Sequence, residues 1–150
     1  MTEATATNDL LDLTLTDVGF GGNAVGRGPD GKAIFVPFAL AGEGVRVRLE
    51  AVQPRFARAA LVEVLEPHPR RCAAPCPHYR DCGGCVYQHV EYAAEVEIKA
   101  RQWSELMRRL GRLEALPELE AVVPSPAPYA YRNKLRVEPF AVAGADGDSR

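Results

Sequence analysis

The 150-residue sequence predicts an α+β protein built around a small β-barrel, and three observations lead to that fold class. Between residues 9 and 66, short stretches that alternate apolar and polar side chains are separated by glycine-rich turns, a pattern typical of small barrels. Four cysteines then fall within fourteen residues. The amphipathic segment that follows them is long enough for a helix of about five turns.

Alternating hydrophobicity predicts the strands of the barrel. Leucine alternates with aspartate or threonine over residues 11–16, which predicts a first strand beginning at Leu10. The glycine-rich segment 19–31 lies between two strands, so we expect a wide hairpin loop with Phe20 exposed at its tip. Pro37 is expected to mark an edge or a bulge. The remaining strands are predicted over residues 32–40, 45–50 and 57–66.

Residues 91–110 carry the clearest helical pattern in the chain. Polar side chains, among them Gln102 and the i,i+4 pair Glu95–Lys99, are assigned to one face. Gly111 is positioned to end the helix as the residue after its C-cap. The opposite, buried face is predicted to consist of Tyr92, Val96, Ala100, Trp103, Met107 and Leu110, with the tryptophan in the core.

The cysteines lie in a segment of residues 72–89, called the cysteine loop below. They are Cys72, Cys76, Cys82 and Cys85. Proline and glycine between them let several thiolates converge on one centre, which predicts a metal site. The spacing of five and then two residues, with Gly83 and Gly84 allowing close approach of inorganic sulfide, favours an iron–sulfur cluster. Zinc is an alternative, since four thiolates satisfy it in any compact loop.

A disulfide is disfavoured, because the N-terminal residues carry neither the basic nor the apolar region of a secretory signal. The protein is therefore expected to be cytoplasmic. Three histidines flank the cysteines and are candidate fourth ligands, although loop histidines are more often solvated: His68, His78 and His89. No serine lies in a glycine-flanked nucleophile turn, and no carboxylate pair can be placed together, so no hydrolytic or transfer chemistry is predicted.

The net charge of −2 gives no long-range positive field, so a site for a polyanion must come from local clustering. The sequence contains two basic clusters, and each is either a face that binds RNA phosphates or a solvated strand face. For the second cluster a third interpretation is open, namely charges on an edge strand that prevent aggregation. The first is Arg46, Arg48, Arg55 and Arg58, with Phe56 among them. The second, on a strand predicted over 131–138, is Arg132, Lys134 and Arg136. No apolar run approaches the roughly 18 residues of a transmembrane helix, so no membrane partner is expected.

Three stretches together resemble the N-terminal part of the iron–sulfur-containing class of RNA uracil-5 methyltransferases, most closely those acting on 23S rRNA. Residues 9–66, with Asp17-Val-Gly-Phe-Gly21-Gly22 and Phe35-Val-Pro-Phe, resemble a TRAM domain, an OB-like RNA-binding barrel. The most specific match, similar to the family's cluster loop, is Cys76-Pro-His-Tyr-Arg-Asp-Cys82-Gly-Gly-Cys85-Val-Tyr-Gln-His89. A third segment resembles the start of the family's central RNA-binding subdomain: Tyr129-Ala-Tyr-Arg-Asn-Lys134.

The resemblance implies an RNA partner, either rRNA or tRNA, and a structural 4Fe–4S cluster on Cys76, Cys82 and Cys85. In that family the fourth cluster cysteine lies further along than residue 150 here, so Cys72 is a spare thiol that either completes the site or is incidental. The S-adenosylmethionine domain and the nucleophilic cysteine lie later still. We therefore expect the 150 residues alone to be inactive. The alternatives are a stand-alone zinc- or cluster-stabilised RNA-binding protein without enzyme activity and a redox sensor with an exposed cluster.

The expected organisation of the chain follows from these segments. The predicted units are a disordered tail (1–8), the TRAM-like barrel (9–66), the iron–sulfur loop and helix (67–111), a proline-rich linker (112–129) and the beginning of a central RNA-binding subdomain (130–150).

Overall fold

A computed structural model describes residues 10–129 together with Tyr131 and Lys134. The elements in this part of the chain are β1 (Leu10–Val18), β2 (Ala24–Arg27), β3 (Ala33–Val36), β4 (Gly44–Val52), β5 (Phe56–Glu66) and α1 (Tyr92–Arg109). No helix among the described residues is long and apolar enough to cross a membrane. The strand predicted over 131–138 lies outside them, apart from the two residues named.

The strands close into a barrel in the order β1-β2-β3-β5-β4, which confirms the predicted fold class. Each neighbouring pair is antiparallel except β3 and β5, which run parallel. Side chains that alternate along the strands fill the interior, and the core includes Leu15, Val18, Ile34, Val36, Val45 and Val47. Closure gives every strand of the barrel a hydrogen-bonded neighbour on each side, although β3 pairs with only the first residues of β5.

The segment after β1 differs from the wide hairpin loop predicted for residues 19–31. It contains β2, which pairs with both β1 and β3, and Ala24 at its start is fully buried. The prediction is wrong because a four-residue strand containing a glycine has too short a pattern to recognise, whereas barrel closure gives it partners on both sides. The exposed position of Phe20 is confirmed, since 78% of its surface is accessible.

Strand β3 ends at Val36, well before the end predicted at residue 40. Pro37 has no N–H with which to continue the ladder, and Phe38 adopts a left-handed φ of 61°. The chain turns away from the sheet at these two residues and then leads into β4.

Helix α1 confirms the predicted helix, but the predicted buried face is wrong. The side that packs on the rest of the molecule contains Ala94, Ile98 and Gln102, spaced four residues apart. Trp103 lies outside this face and is 38% exposed, so its predicted core position is also wrong. Periodicity finds an apolar stripe on a helix, but it does not show which side a neighbouring element covers.

Buried Gln102 explains how a polar residue occupies the packed face. Its amide nitrogen donates to the carbonyl oxygens of Val18 at 3.1 Å and Gly19 at 2.7 Å. Its amide oxygen accepts the hydroxyl of Tyr87 at 3.1 Å. Since each of these atoms has a partner, burial of the amide leaves little desolvation cost. These bonds join α1 to the end of β1 and to the cysteine loop.

The end of α1 confirms Gly111 as the residue after the C-cap, which is Leu110. The N–H of Gly111 donates to the carbonyl of Leu106 at 3.2 Å. A Cβ at this position would crowd the carbonyl oxygen of Met107, so glycine is favoured here by space rather than by a left-handed φ.

The β1–β2 turn packs directly against the cysteine loop at Gly22. This glycine has a φ of 87°, and a Cβ added to it would overlap Cγ1 of Val86 and crowd the ring of Tyr87. A second contact between the barrel and the later elements is a small apolar cluster of Leu40, Val90 and Ala94. The barrel, the cysteine loop and α1 therefore pack against one another.

Candidate nucleic-acid interface and cysteine loop

Arg46 is engaged by carboxylates on the outer surface of the barrel. Its Nε and Nη2 donate to the two oxygens of Asp12 on the neighbouring strand, at 2.7 and 2.8 Å. Glu63 lies 3.7 Å from Nη1. The hydrogen-bonded guanidinium holds the pKa of Asp12 below its ordinary value. Of the four arginines predicted to bind RNA, Arg46 has its charge compensated and is the least available to a phosphate.

Arg48, Arg55 and Arg58, called the arginine face below, have a different environment. All three are exposed, and none of their side chains forms an ion pair or a hydrogen bond with the residues that the structure describes. Arg48 lies on β4 and Arg58 on β5, which are paired strands, and Arg55 lies in the turn between them. One hairpin therefore presents three uncompensated positive charges to solvent.

An aromatic pair lies beside the arginine face. Phe35 of β3 is the register partner of Arg58, and its ring meets that of Phe56 edge to face, with 5.7 Å between centroids and 81° between planes. Both rings are half-buried. Proteins that bind single-stranded nucleic acid combine positively charged side chains, which contact the phosphates, with aromatic side chains, which stack on the bases.

The second basic cluster is described only at Lys134, which is exposed. Its predicted companions Arg132 and Arg136 lie outside the described residues. The structure thus brings together three residues of the first cluster and leaves the second cluster as a prediction.

Backbone pairing closes the cysteine loop at its base. Arg71 and Val90 form an antiparallel bridge, and the N–H of Cys72 donates to the carbonyl of His89 at 3.1 Å. The loop therefore leaves and re-enters the fold at one point, immediately before α1 begins.

Hydrogen bonds within the loop position Cys76 and Cys82. The N–H of Cys76 donates to the side-chain oxygen of buried Gln88 at 3.1 Å, and its carbonyl accepts the N–H of Tyr79 at 3.1 Å. The N–H of Cys82 donates to the carbonyl of His78 at 2.9 Å. The backbone at both cysteines is therefore held by the loop itself.

The thiols suit a metal chemically, but they do not form a closed site as they stand. Cys72, Cys82 and Cys85 are exposed, Cys76 is half-buried, and all four are free thiols. Thiolates are the ligands of both iron–sulfur clusters and structural zinc. Among the described residues, no group of three or more His, Cys, Asp or Glu side chains is placed to hold an ion.

Of the three candidate histidine ligands, His89 is the most buried, at 3% exposure. Its Nδ1 lies 2.6 Å from the hydroxyl of Tyr79, and its Nε2 has no hydrogen-bond partner among the described residues. Burial, reinforced by the positive charge of Arg71, lowers the pKa of His89 to about 4, so the ring is neutral at pH 7. Burial also raises the pKa of Tyr79 to about 12. His68 is half-buried and its Nδ1 accepts a backbone N–H at 3.1 Å, whereas His78 is exposed.

A buried ion pair that the sequence did not reveal joins the cysteine loop to the barrel. Glu43, fully buried before β4, accepts Nη1 of Arg71 on its two oxygens at 2.9 and 2.8 Å. The same carboxylate accepts the backbone N–H groups of Leu40 at 2.9 Å and His68 at 3.2 Å. Nη2 of Arg71 donates to the carbonyl of Phe38 at 3.1 Å. The partners lie 28 residues apart in sequence, too far for a local pattern to connect them.

Residues 7–62 match the TRAM domain family, and this segment contains β1–β4 and most of β5. An uncharacterized RNA methyltransferase of Nitratidesulfovibrio vulgaris is 38% identical over 133 residues, covering 89% of this chain and 28% of that protein. The 23S rRNA (uracil(1939)-C(5))-methyltransferase RlmD of Chromohalobacter salexigens is 39% identical over 126 residues, covering 84% of this chain and 26% of that protein. The solution structure of a conserved protein of Methanococcus maripaludis aligns at 36% identity with a TM-score of 0.35, covering 41% of this chain and 81% of that one.

The closed barrel and its match therefore identify residues 7–62 as a TRAM domain. Because the similarity continues beyond the barrel over most of the chain, the chain is homologous to the N-terminal part of RNA methyltransferases. It spans about a quarter of the length of these curated relatives.

Proposed function

We propose that the chain is the RNA-binding, iron–sulfur N-terminal portion of an S-adenosylmethionine-dependent RNA uracil-5 methyltransferase. The TRAM domain and the relatives named as RNA methyltransferases support this proposal, one of them being named for uracil methylation of 23S rRNA. The observation that carries RNA binding is the arginine face, because it concentrates uncompensated positive charge on a chain with a net charge of −2.

In this proposal the arginine face binds phosphates and thereby positions the RNA. Contacts to phosphate fix the register and orientation of a nucleic acid but carry no sequence information. The half-buried rings of Phe35 and Phe56 offer apolar surface beside those charges. We assign methyl transfer, with its S-adenosylmethionine site, to a catalytic domain outside these 150 residues. The described residues contain no strand–helix–parallel strand unit of the kind that holds a nucleotide cofactor.

The first test is the affinity of the chain for a labelled single-stranded RNA, measured by fluorescence anisotropy over a range of salt concentrations. Each phosphate neutralised on a single strand contributes about −0.7 to the slope of log affinity against log salt, so three arginines give a slope near −2. We expect micromolar or weaker binding that falls with this slope. Absence of binding at low salt, or binding that is independent of salt, would contradict the proposed phosphate interface.

The cysteine loop is proposed to hold a 4Fe–4S cluster through Cys76, Cys82 and Cys85. The fourth ligand is either Cys72 or a cysteine from outside these residues. The cluster, when bound, supplies a rigid structural cross-link rather than electron transfer. The residues of the chain support it with free, accessible thiols and with a loop whose base is closed by backbone bonds.

Anaerobic reconstitution with iron and sulfide tests the cluster. We expect a brown protein with visible absorbance from thiolate-to-iron charge transfer. Cys82→Ser should abolish the colour, whereas Cys72→Ser separates the two ligand sets: loss of iron identifies Cys72 as a ligand, and retention identifies it as a bystander. A colourless protein that binds zinc stoichiometrically would replace the cluster with a zinc site.

A further inference from the structure

An apolar slot opens where the barrel, the cysteine loop and α1 meet. It has a volume of about 420 Å³, within the range of ligand-binding pockets. Phe20 of the β1–β2 turn, Val86 and Tyr87 of the cysteine loop, and Trp103 and Leu106 of α1 line it. We call this site the aromatic slot. It lies apart from the arginine face, and the proposed phosphate contacts do not use it.

The walls of the aromatic slot leave large rings in contact with water. Phe20 is 78% exposed and Trp103 is 38% exposed, although both face one concave site. Each comes from a different element, so the exposure is a property of the assembled fold rather than of one loose segment. Exposed aromatic surface gathered in a concavity indicates a site for a ligand.

The polar group at the floor of the slot is already satisfied. The amide of Gln102 bonds to the carbonyl groups of Val18 and Gly19 and to the hydroxyl of Tyr87. It therefore has little capacity left to recognise hydrogen-bonding edges of a ligand. An occupant of this slot is held by its flat apolar faces, without discrimination between the bases.

The charge around the slot carries a small positive surplus. The half of α1 that lines it, residues 99–109, carries four basic side chains and one acidic one. Lys99 lies at the slot with its Nζ 5.5 Å from the ring centroid of Tyr87. Each of these basic side chains has a carboxylate partner: Lys99 pairs with Glu95 and Arg101 with Asp17. Arg108 and Arg109 share Glu105, so four positive charges meet three negative ones and a surplus of one positive charge remains. This favours a nucleic acid over a purely apolar peptide segment.

We propose that the aromatic slot binds an unpaired nucleobase of single-stranded RNA, stacked against the exposed rings of Phe20 and Trp103. Stacking on aromatic side chains is tolerant of sequence, because every base presents a π-face. This inference rests on the proposed RNA-binding function and adds a second, uncharged mode of contact to it. RNA would then contact the chain at two places that respond differently to salt.

The test uses Trp103 as its reporter, since it is the only tryptophan in the chain. The full chain is titrated with a short oligouridylate while tryptophan emission and RNA anisotropy are recorded together. We expect a saturable change in emission with the same midpoint as the anisotropy. Phe20→Ala should weaken binding by about five-fold or more. The slope of log affinity against log salt should stay unchanged, because stacking releases no counterions.

Val62→Ala is the matched control, because Val62 is an exposed apolar residue of β5 outside the slot, at 47% exposure. It should bind like the unsubstituted chain. Salt-dependent RNA binding with unchanged Trp103 emission and a silent Phe20→Ala would overturn the slot while leaving the proposed function intact. Absence of any RNA binding would overturn both. A Phe20→Ala effect on self-association in sedimentation, without an effect on RNA, would make the slot a protein contact and would also overturn the inference.

Discussion

Two arginine–carboxylate pairs differ in burial, and that difference sets what each contributes to stability. Arg46 and Asp12 are half exposed on the barrel surface, where water screens their attraction. Glu43 is completely buried and Arg71 nearly so, and the carboxylate also accepts two backbone N–H groups. Removal of one buried partner leaves the other charge without compensation, which is costly in a low-dielectric surrounding.

Glu43→Gln is therefore expected to lower the free energy of unfolding by about 3 kcal/mol. The new amide group would face the N–H donors of Arg71 and Leu40, which it cannot all satisfy. Asp12→Asn is the matched control and should lower the free energy of unfolding far less, because its ion pair is solvent-exposed. Urea denaturation of both variants measures the difference. Equal losses would contradict the assignment of Glu43 as the anchor of the cysteine loop.

At the scale of elements, the β1–β2 turn sets the spacing between the barrel and the cysteine loop. Gly21 and Gly22 are consecutive residues with nearly the same left-handed φ, 89° and 87°. A Cβ at Gly21 would meet nothing within 4 Å, whereas one at Gly22 would overlap Val86. The two positions therefore separate backbone strain from packing against the loop.

Alanine at each glycine measures the two effects. Gly21→Ala should lower the free energy of unfolding by about 1–2 kcal/mol, the penalty for placing an L side chain in a left-handed conformation. Gly22→Ala should lower the free energy of unfolding by the same backbone penalty and by a further ~1–3 kcal/mol, because the new methyl group overpacks against Val86. Thermal unfolding of the two variants gives the comparison. If Gly22→Ala is no worse than Gly21→Ala, the turn does not pack against the loop as described.

The sequence alone predicted the features that depend on local pattern. Strand alternation predicted the barrel, and 3.6-residue periodicity predicted the extent of α1, because each signal is contained within its own segment. The cysteine loop, the exposed Phe20 and the charges of Arg48 and Arg58 were likewise readable from neighbouring residues.

The features that were missed depend on contacts between distant segments. The packed face of α1 is set by Gln102 reaching carbonyl groups more than 80 residues earlier in the chain. The Glu43–Arg71 pair and the concavity between Phe20 and Trp103 likewise require elements that meet only after folding. A polar residue in a buried position is satisfied by partners that no local pattern identifies.

For the whole molecule, the distribution of charge matters more than its sum. A net charge of −2 predicts no general attraction to RNA, yet Arg48, Arg55 and Arg58 gather on one hairpin without carboxylate partners among the described residues. Arg46, on the same sheet, is compensated by Asp12. The proposed function therefore depends on which arginines are paired rather than on how many there are.

The most direct test of this claim is to compare the RNA affinity of two variants of the full chain. One is the triple variant Arg48→Gln/Arg55→Gln/Arg58→Gln, and the other is the single variant Arg46→Gln. Removing the arginine face should weaken binding to all sequences alike and make the log–log salt slope shallower by about 2. Arg46→Gln should bind nearly as the unsubstituted chain does, since its charge is already compensated. Unchanged affinity and slope in the triple variant would contradict the account and would direct attention to the predicted cluster around Lys134.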